Sequence, residues 1–200
     1  QPSEIISVEA ATILGGLQML STSLSRRPSL QHTRSIVFSE ELAREGIGHL
    51  LAPIVRFREF RRNTFVAISR GNAREFLEKG QPVLETNPSK FAELLVATTR
   101  YTGFSPESQL HLFYNAAKSE AEQPVAMLVA VGGDGIKENG REGRKHSEGV
   151  FLAGAVPREG GNEIEIMGAA VFRGGRMVGT LTGDETIIYN MVRGKFKQGI

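Results

Sequence analysis

The stretch MGAAVFRGGRMVGTLTGDETIIYNMV, residues 167–192, decides the fold that the sequence predicts. Small and apolar residues alternate up to Phe172, and the chain then turns at Gly174 and Gly175 before a second apolar run. Two such runs joined by a short glycine turn are typical of a β-hairpin. We therefore expect paired strands at residues 164–172 and 176–181.

A glycine–acid cluster, Gly183, Asp184, Glu185 and Thr186, follows the hairpin. Acidic side chains are favoured in the first turn of a helix, where they cap backbone amides and interact well with the helix dipole. A catalytic pair of acids is the alternative interpretation, but adjacent helical residues point in different directions. The cluster is therefore interpreted as a structural motif. It predicts a helix whose apolar side consists of Ile187, Ile188, Met191 and Val192.

The residues before this hairpin alternate between strand and helix patterns. The patterns predict strands at residues 4–8, 34–38, 63–69 and 124–131, and helices at about residues 9–26, 40–54, 72–80, 88–103 and 105–117. Ser39 and Asn72 are expected N-caps, and Pro53 is expected to bend or end its helix. The near-continuous apolar run at residues 124–131 predicts a strand covered on both faces. The fold class is therefore α/β, or mixed α+β, with a central mixed β-sheet flanked by helices and followed by the hairpin and helix.

The composition changes sharply after residue 131. Residues 132–162 are dominated by glycine and nearly balanced charges, which predicts a mobile loop. We expect residues 1–131 to form an N-terminal α/β domain. Residues 163–200, the hairpin and helix, either close that domain or begin a second one.

The bulk composition excludes several classes of function. The chain has 200 residues and a formal net charge of +2, an imbalance too small to indicate a nucleic-acid partner. It contains no cysteine, so disulfides, thiolate catalysis and cysteine zinc sites are excluded. The four histidines lack metal-ligand spacing, and no serine lies in a Gly-x-Ser-x-Gly motif. We predict no catalytic residue, no cofactor and no metal.

Two stretches suggest alternative functions. Residues 129–136, VAVGGDGI, resemble the phosphate loop of the diacylglycerol and NAD kinases, although Ile136 stands where that loop has threonine. No amphipathic helix pattern follows, as a phosphate site would need. Residues 56–62, RFREFRR, interleave four arginines with two phenylalanines. They are a candidate interaction surface for phosphates or acidic lipid, or simply the end of a helix. The candidate residues are Arg56, Arg58, Arg61 and Arg62.

Several motifs, taken in order, resemble the Ger(x)C spore germination proteins, the C subunits of nutrient germinant receptors. The resemblance begins with the Gly168-x-Ala170-Val171-Phe172 strand, the basic turn after it, and the Gly183-Asp184-Glu185-Thr186 cluster. Earlier segments agree with the family in the same order: residues 25–27, 36–46, 64–68 and 71–77.

The resemblance implies a non-enzymatic lipoprotein subunit that is needed for the germination response to nutrients. Such a subunit acts through contacts with an integral-membrane subunit and with a second subunit that has a soluble domain. It is attached to the outer face of the spore inner membrane by an N-terminal lipid anchor, which is missing from this chain, as are the family's later domains. This fragment is expected to be soluble, without a cofactor or a nucleic-acid partner. The alternatives are a nucleotide- or lipid-phosphate-binding kinase fragment and a peripheral binder of anionic membranes or nucleic acid.

Overall fold

A computed structural model describes residues 5–24, 28–80, 97, 101–132, 150–157, 160 and 163–196. Its helices are α1 (Ile13–Ser23), α2 (Glu40–Glu45), α3 (Gly48–Arg56), α4 (Ala73–Lys79), α5 (Leu110–Lys118) and α6 (Gly183–Val192). Its strands are β1 (Ser35–Ser39), β2 (Phe65–Arg70), β3 (Val125–Val131), β4 (Ile164–Arg173) and β5 (Arg176–Leu181).

The five strands form one mixed sheet in the order β1-β2-β3-β4-β5. Strands β1, β2 and β3 are parallel, and the β4–β5 hairpin adds two antiparallel strands beside β3. One row of paired residues crosses the whole sheet: Val37, Ala67, Met127, Ala169 and Leu181. The predicted fold class, a mixed sheet with flanking helices, is confirmed.

Both faces of the sheet carry apolar packing. Because side chains alternate along a strand, Val66 and Ile68 of β2 face one side and Ala67 faces the other. Val66 and Ile68 belong to the large cluster that also contains residues of α2, α3 and α5, whereas Ala67 packs in a smaller cluster with Phe76 of α4. The buried pattern of β3 follows from its position between β2 and β4.

The first part of the chain departs from the prediction. Residues 5–8 form no strand, and Ile5, Ile6 and Val8 are exposed. A short apolar stretch is a strand only where a partner strand satisfies its backbone, and the described residues offer none here. Helix α1 is shorter than expected and is capped by Thr12, whose hydroxyl accepts from the Gly15 amide.

The predicted helix at residues 40–54 is two helices. The chain breaks at Gly46, whose φ of 126° lies outside the helical region. The hairpin turn causes the break, because the Ile47 amide donates to the Gly175 carbonyl at 2.8 Å. A side chain at Gly175 would collide with the Gly48 backbone, so the two segments meet backbone to backbone. Pro53 does not end its helix, since α3 continues to Arg56.

The predicted helix start at residues 105–107 is also wrong. The chain there is packed against the sheet, and Ser108 and Leu110 exchange hydrogen bonds with Val66 and Thr64 at the start of β2. These bonds to the sheet delay the helix, so α5 begins at Leu110. Most of the predicted helix at residues 88–103 lies outside the described residues, as does most of the loop at residues 132–162. The proposed division into residues 1–131, 132–162 and 163–200 stays a prediction.

Candidate interaction surfaces

The basic turn, residues 56–62, connects α3 to β2 and is held by backbone hydrogen bonds. The Phe57 amide donates to the carbonyls of Pro53 and Ile54 at 3.1 and 3.2 Å, and the Phe60 amide donates to the Phe57 carbonyl at 3.1 Å. The Thr64 amide then donates to the Arg61 carbonyl at 3.1 Å. The turn is therefore a defined series of tight bends between a helix and a buried strand.

The aromatic and acidic side chains of the basic turn are used internally. Phe57 and Phe60 meet edge to face, with ring centroids 6.1 Å apart, and Phe60 packs against the main core. One carboxylate oxygen of Glu59 accepts from the Leu30 amide at 2.8 Å. Both rings are partly buried, so much of their surface and one oxygen of Glu59 are already engaged within the protein.

The four arginines of the basic turn, Arg56, Arg58, Arg61 and Arg62, are exposed. Within the described residues, none of the four forms an ion pair. Cations on the helix surfaces contrast with them, since guanidinium–carboxylate contacts join Arg44 to Glu40 at 2.6 Å and Arg74 to Glu78 at 2.7 Å. The four predicted arginines therefore lie exposed on one short turn that carries a single acid, Glu59, and their role as an interaction surface stays a prediction.

The Gly183–Thr186 motif forms the first turn of α6. The Thr182 hydroxyl accepts from the Glu185 amide at 3.4 Å, and the Glu185 carboxylate accepts from the Thr182 amide at 2.9 Å. This reciprocal pair is a capping box. The Gly183 amide donates to the Phe151 carbonyl at 3.2 Å, which ties the helix start to a neighbouring segment. The motif therefore forms the start of α6, and its interpretation as structural stays a prediction.

Helix α6 turns polar side chains towards the protein. Thr186 and Asn190 are buried, and the Asn190 amide nitrogen donates to the carbonyls of Gly103 and Ser105 at 3.1 and 3.2 Å. Buried carbonyls without partners would be costly, so these hydrogen bonds orient the helix. The i,i+4 spacing of Thr186 and Asn190 was the signal in the sequence that could have revealed the inward side.

The apolar face of α6, defined as Ile188, Met191 and Val192, is exposed. The exposed fractions of these residues are 60%, 53% and 82%. The predicted apolar side of the helix therefore does not form its buried side, and only Ile187 of that set is partly buried. Tyr189 lies beside this face, and burial raises the pKa of its phenol, an effect that Arg193 partly offsets.

A buried acid that the sequence analysis missed anchors the segment at residues 150–157. The Glu165 carboxylate accepts from the amides of Gly154 and Val156 at 2.7 and 3.4 Å. Arg70 donates to the Ala153 carbonyl at 2.8 Å from the neighbouring part of the sheet. The sequence contained a signal for this site, because the acid lies between two isoleucines of β4. An acid in such an apolar strand indicates a buried carboxylate, which needs hydrogen-bond donors.

The described residues contain no cluster of three potential metal ligands. They also contain no helix of the length and apolar character that a bilayer crossing requires.

His111 is engaged with the basic turn, where its ring nitrogen Nδ1 lies 2.8 Å from the Arg62 carbonyl. In the candidate phosphate loop, residues 129–132 are described, and the stretch from Gly133 to Ile136 is not.

Comparison with protein families identifies the class of protein. Residues 1–131 match the family model described as the spore germination protein N-terminal domain. Residues 167–200 match the model described as spore germination B3/GerAC-like, C-terminal. The chain belongs to the Ger(x)C family of spore germination proteins, which confirms the resemblance found in its motifs.

Individual relatives agree with this assignment. The chain is 30% identical over 95 residues to the putative spore germination protein YfkR of Bacillus subtilis strain 168. That alignment covers 47% of this chain and 25% of YfkR. The crystal structure of the GerBC protein matches with a TM-score of 0.50 and 17% identity, over 89% of this chain and 42% of GerBC. GerBC thus has the same fold, and this chain spans less than half of either relative.

Proposed function

We propose that this chain is part of the C subunit of a spore germinant receptor and acts in the response to nutrients without catalysing a reaction. The family match over residues 1–131 carries the proposal. Two acids that could be considered as catalytic residues already have partners within the protein. Glu185 completes the capping box of α6, and Glu165 binds two backbone amides. These contacts favour an interaction module over an enzyme.

Contacts between proteins are the proposed mode of action. The apolar face of α6 supports it, because adjacent exposed apolar residues on one helix are typical of contact surfaces. The proposed partners are the integral-membrane subunit of the receptor and its subunit with a soluble domain. We propose that an N-terminal lipid anchor holds the full-length protein at the outer face of the spore inner membrane. We also propose that the chain is organised as an N-terminal domain at residues 1–131, a loop at residues 132–162 and the hairpin with its helix at residues 163–200.

The test is a deletion of the full gene in its spore-forming host. Dipicolinate release from purified spores would be followed on a panel of nutrients. We expect loss of the response to one set of nutrients, restored by the wild-type gene but not by a gene whose lipid-anchoring cysteine is replaced. The deletion is also made in a strain from which all other receptor operons have been removed. Normal germination of that strain on every nutrient would contradict the proposal.

A second experiment separates protein contacts from anchoring. A full-length variant with Ile188→Ser and Val192→Ser keeps the anchor but loses much of the apolar face of α6. We expect it to reach the membrane at the wild-type level and to fail in copurifying with the other receptor subunits. Arg74→Gln on the exposed side of α4 is the control, and it should copurify normally. Equal recovery of both variants with the receptor subunits would exclude the α6 face as the contact.

A further inference from the structure

We propose that the basic turn, residues 56–62, is a contact site for an anionic phospholipid surface, which it meets through guanidinium–phosphate pairs. The inference goes beyond the receptor proposal, because a lipid anchor and subunit contacts require no binding of lipid by this domain. It rests on the charge, the exposure and the internal packing of the turn.

The turn contains four arginines and one acid, Glu59, so it keeps an excess of positive charge. The four arginines are exposed and form no ion pair in the described part of the chain, and Glu59, the acid within the turn, accepts from the Leu30 amide. Guanidinium groups suit phosphate because their donors form a planar fork. Several of them on one short turn produce a local field that the small net charge of the chain, +2, does not reveal.

The packing of the turn favours lipid over single-stranded nucleic acid and over an apolar protein interface. Single-stranded nucleic acid is held by aromatic rings on which bases stack, but Phe57 and Phe60 pack against each other and Phe60 also against the core. A stable protein interface needs an apolar centre, and the turn presents charge instead. A sheet of phospholipid headgroups requires only positive charge close to its surface. The turn fits that partner best.

The backbone of the basic turn is also preorganised for binding. Its backbone is fixed at one end by the last turn of α3 and at the other by Thr64, which is buried and donates through its hydroxyl to the Thr33 carbonyl at 3.2 Å. A fixed backbone lowers the ordering cost of association, so only the arginine side chains lose freedom on contact.

The experiment is sedimentation of the 200-residue chain with phosphatidylcholine vesicles, prepared with and without phosphatidylglycerol. The test variant is Arg58→Gln with Arg61→Gln. The control variant is Arg74→Gln with Lys79→Gln on α4, where both cations are paired with glutamates. Each variant removes two positive charges from a net charge of +2, so the two have the same net charge.

We expect the wild-type chain to bind only the vesicles with phosphatidylglycerol, and to release them at high salt. The test variant should bind roughly thirtyfold more weakly, the contribution expected of two arginines at a lipid surface. The control variant should stay within about threefold of wild type because its cations are elsewhere. Arg56→Gln with Arg62→Gln provides an independent second test of the turn, and circular dichroism verifies that each variant is folded.

Several results would overturn the inference. They are no binding of the wild-type chain to phosphatidylglycerol vesicles, equal losses in the test and control variants, or release of the vesicles by millimolar inorganic phosphate, which would indicate a discrete phosphate site. Tighter binding to single-stranded DNA than to vesicles would assign the turn to nucleic acid. None of these results would affect the germination phenotype of the gene deletion, so the two proposals fail separately.

Discussion

Helices α5 and α6 are attached to the same sheet in opposite ways. Helix α5 packs through Leu110, Phe113 and Ala116, and the ring of Phe113 meets that of Phe172 edge to face at 4.9 Å. Helix α6 is held by its capping box and by the hydrogen bonds of Asn190, and its apolar face faces outward. Hydrogen bonds can therefore set the orientation of a helix against its hydrophobic pattern, and they leave an apolar face available for a partner.

The largest expected effect lies in α5. Phe113→Ala removes a fully buried ring from the main core and should lower the free energy of unfolding by about 3–5 kcal/mol. Urea denaturation followed by circular dichroism measures this change. Phe113→Leu is the control and should cost less, because it retains most of the apolar volume. A loss under about 1 kcal/mol for the alanine variant would mean that α5 is not held by its apolar side.

Asn190→Ala tests the polar attachment of α6. It leaves the carbonyls of Gly103 and Ser105 without their donor, so the expected loss is about 1–3 kcal/mol in the free energy of unfolding. Asn115→Ala on the exposed side of α5 is the matched control and should change stability by no more than about 0.5 kcal/mol. If the two variants were equally stable, the hydrogen bonds of Asn190 would not orient the helix.

Thr182→Ala removes the hydroxyl of the capping box. The expected loss is about 1 kcal/mol, because the Glu185 amide loses its acceptor at the helix start. Amide hydrogen exchange in the first turn of α6 should accelerate more than exchange in α5. Thr182→Ser keeps the hydroxyl and should restore most of the protection. Unchanged exchange in the alanine variant would show that the box contributes little.

The smallest effect is expected on the apolar face of α6. Val192→Ser and Ile188→Ser each replace an exposed side chain and should alter the free energy of unfolding by no more than about 0.5 kcal/mol. A loss of several kcal/mol, or one that depends on protein concentration in sedimentation equilibrium, would show that this face is already covered in the isolated chain. The contrast between α5 and α6 would then disappear.

Much of the sheet could be predicted from local patterns. The apolar run of β3, the alternation of the hairpin and the cap residues Ser39 and Asn72 all gave correct elements. Each of these elements is determined by residues close together in the sequence. Local propensity and burial therefore favour the same structure. Of the candidate sites, the basic turn stays a prediction, and the structure shows only that its four arginines are exposed.

The features that the sequence did not reveal depend on distant contacts. The break at Gly46 follows from the approach of the Gly175 turn, and the late start of α5 follows from bonds to β2. The exposure of the apolar side of α6 was not predicted, because it depends on the Gly103 and Ser105 carbonyls that accept from Asn190. A hydrogen-bond partner remote in the chain leaves no periodic signal, whereas apolar burial does.

The position of β3 has a consequence for synthesis of the protein on the ribosome. This strand is internal in the finished sheet, yet its partner β4 is complete only at Arg173, well after β3 ends at Val131. At about 5–20 residues per second, translation leaves one edge of β3 unpaired for a few seconds. An apolar strand edge of this kind attracts other nascent chains. Chaperone dependence during expression should therefore fall once the β4–β5 hairpin has left the exit tunnel.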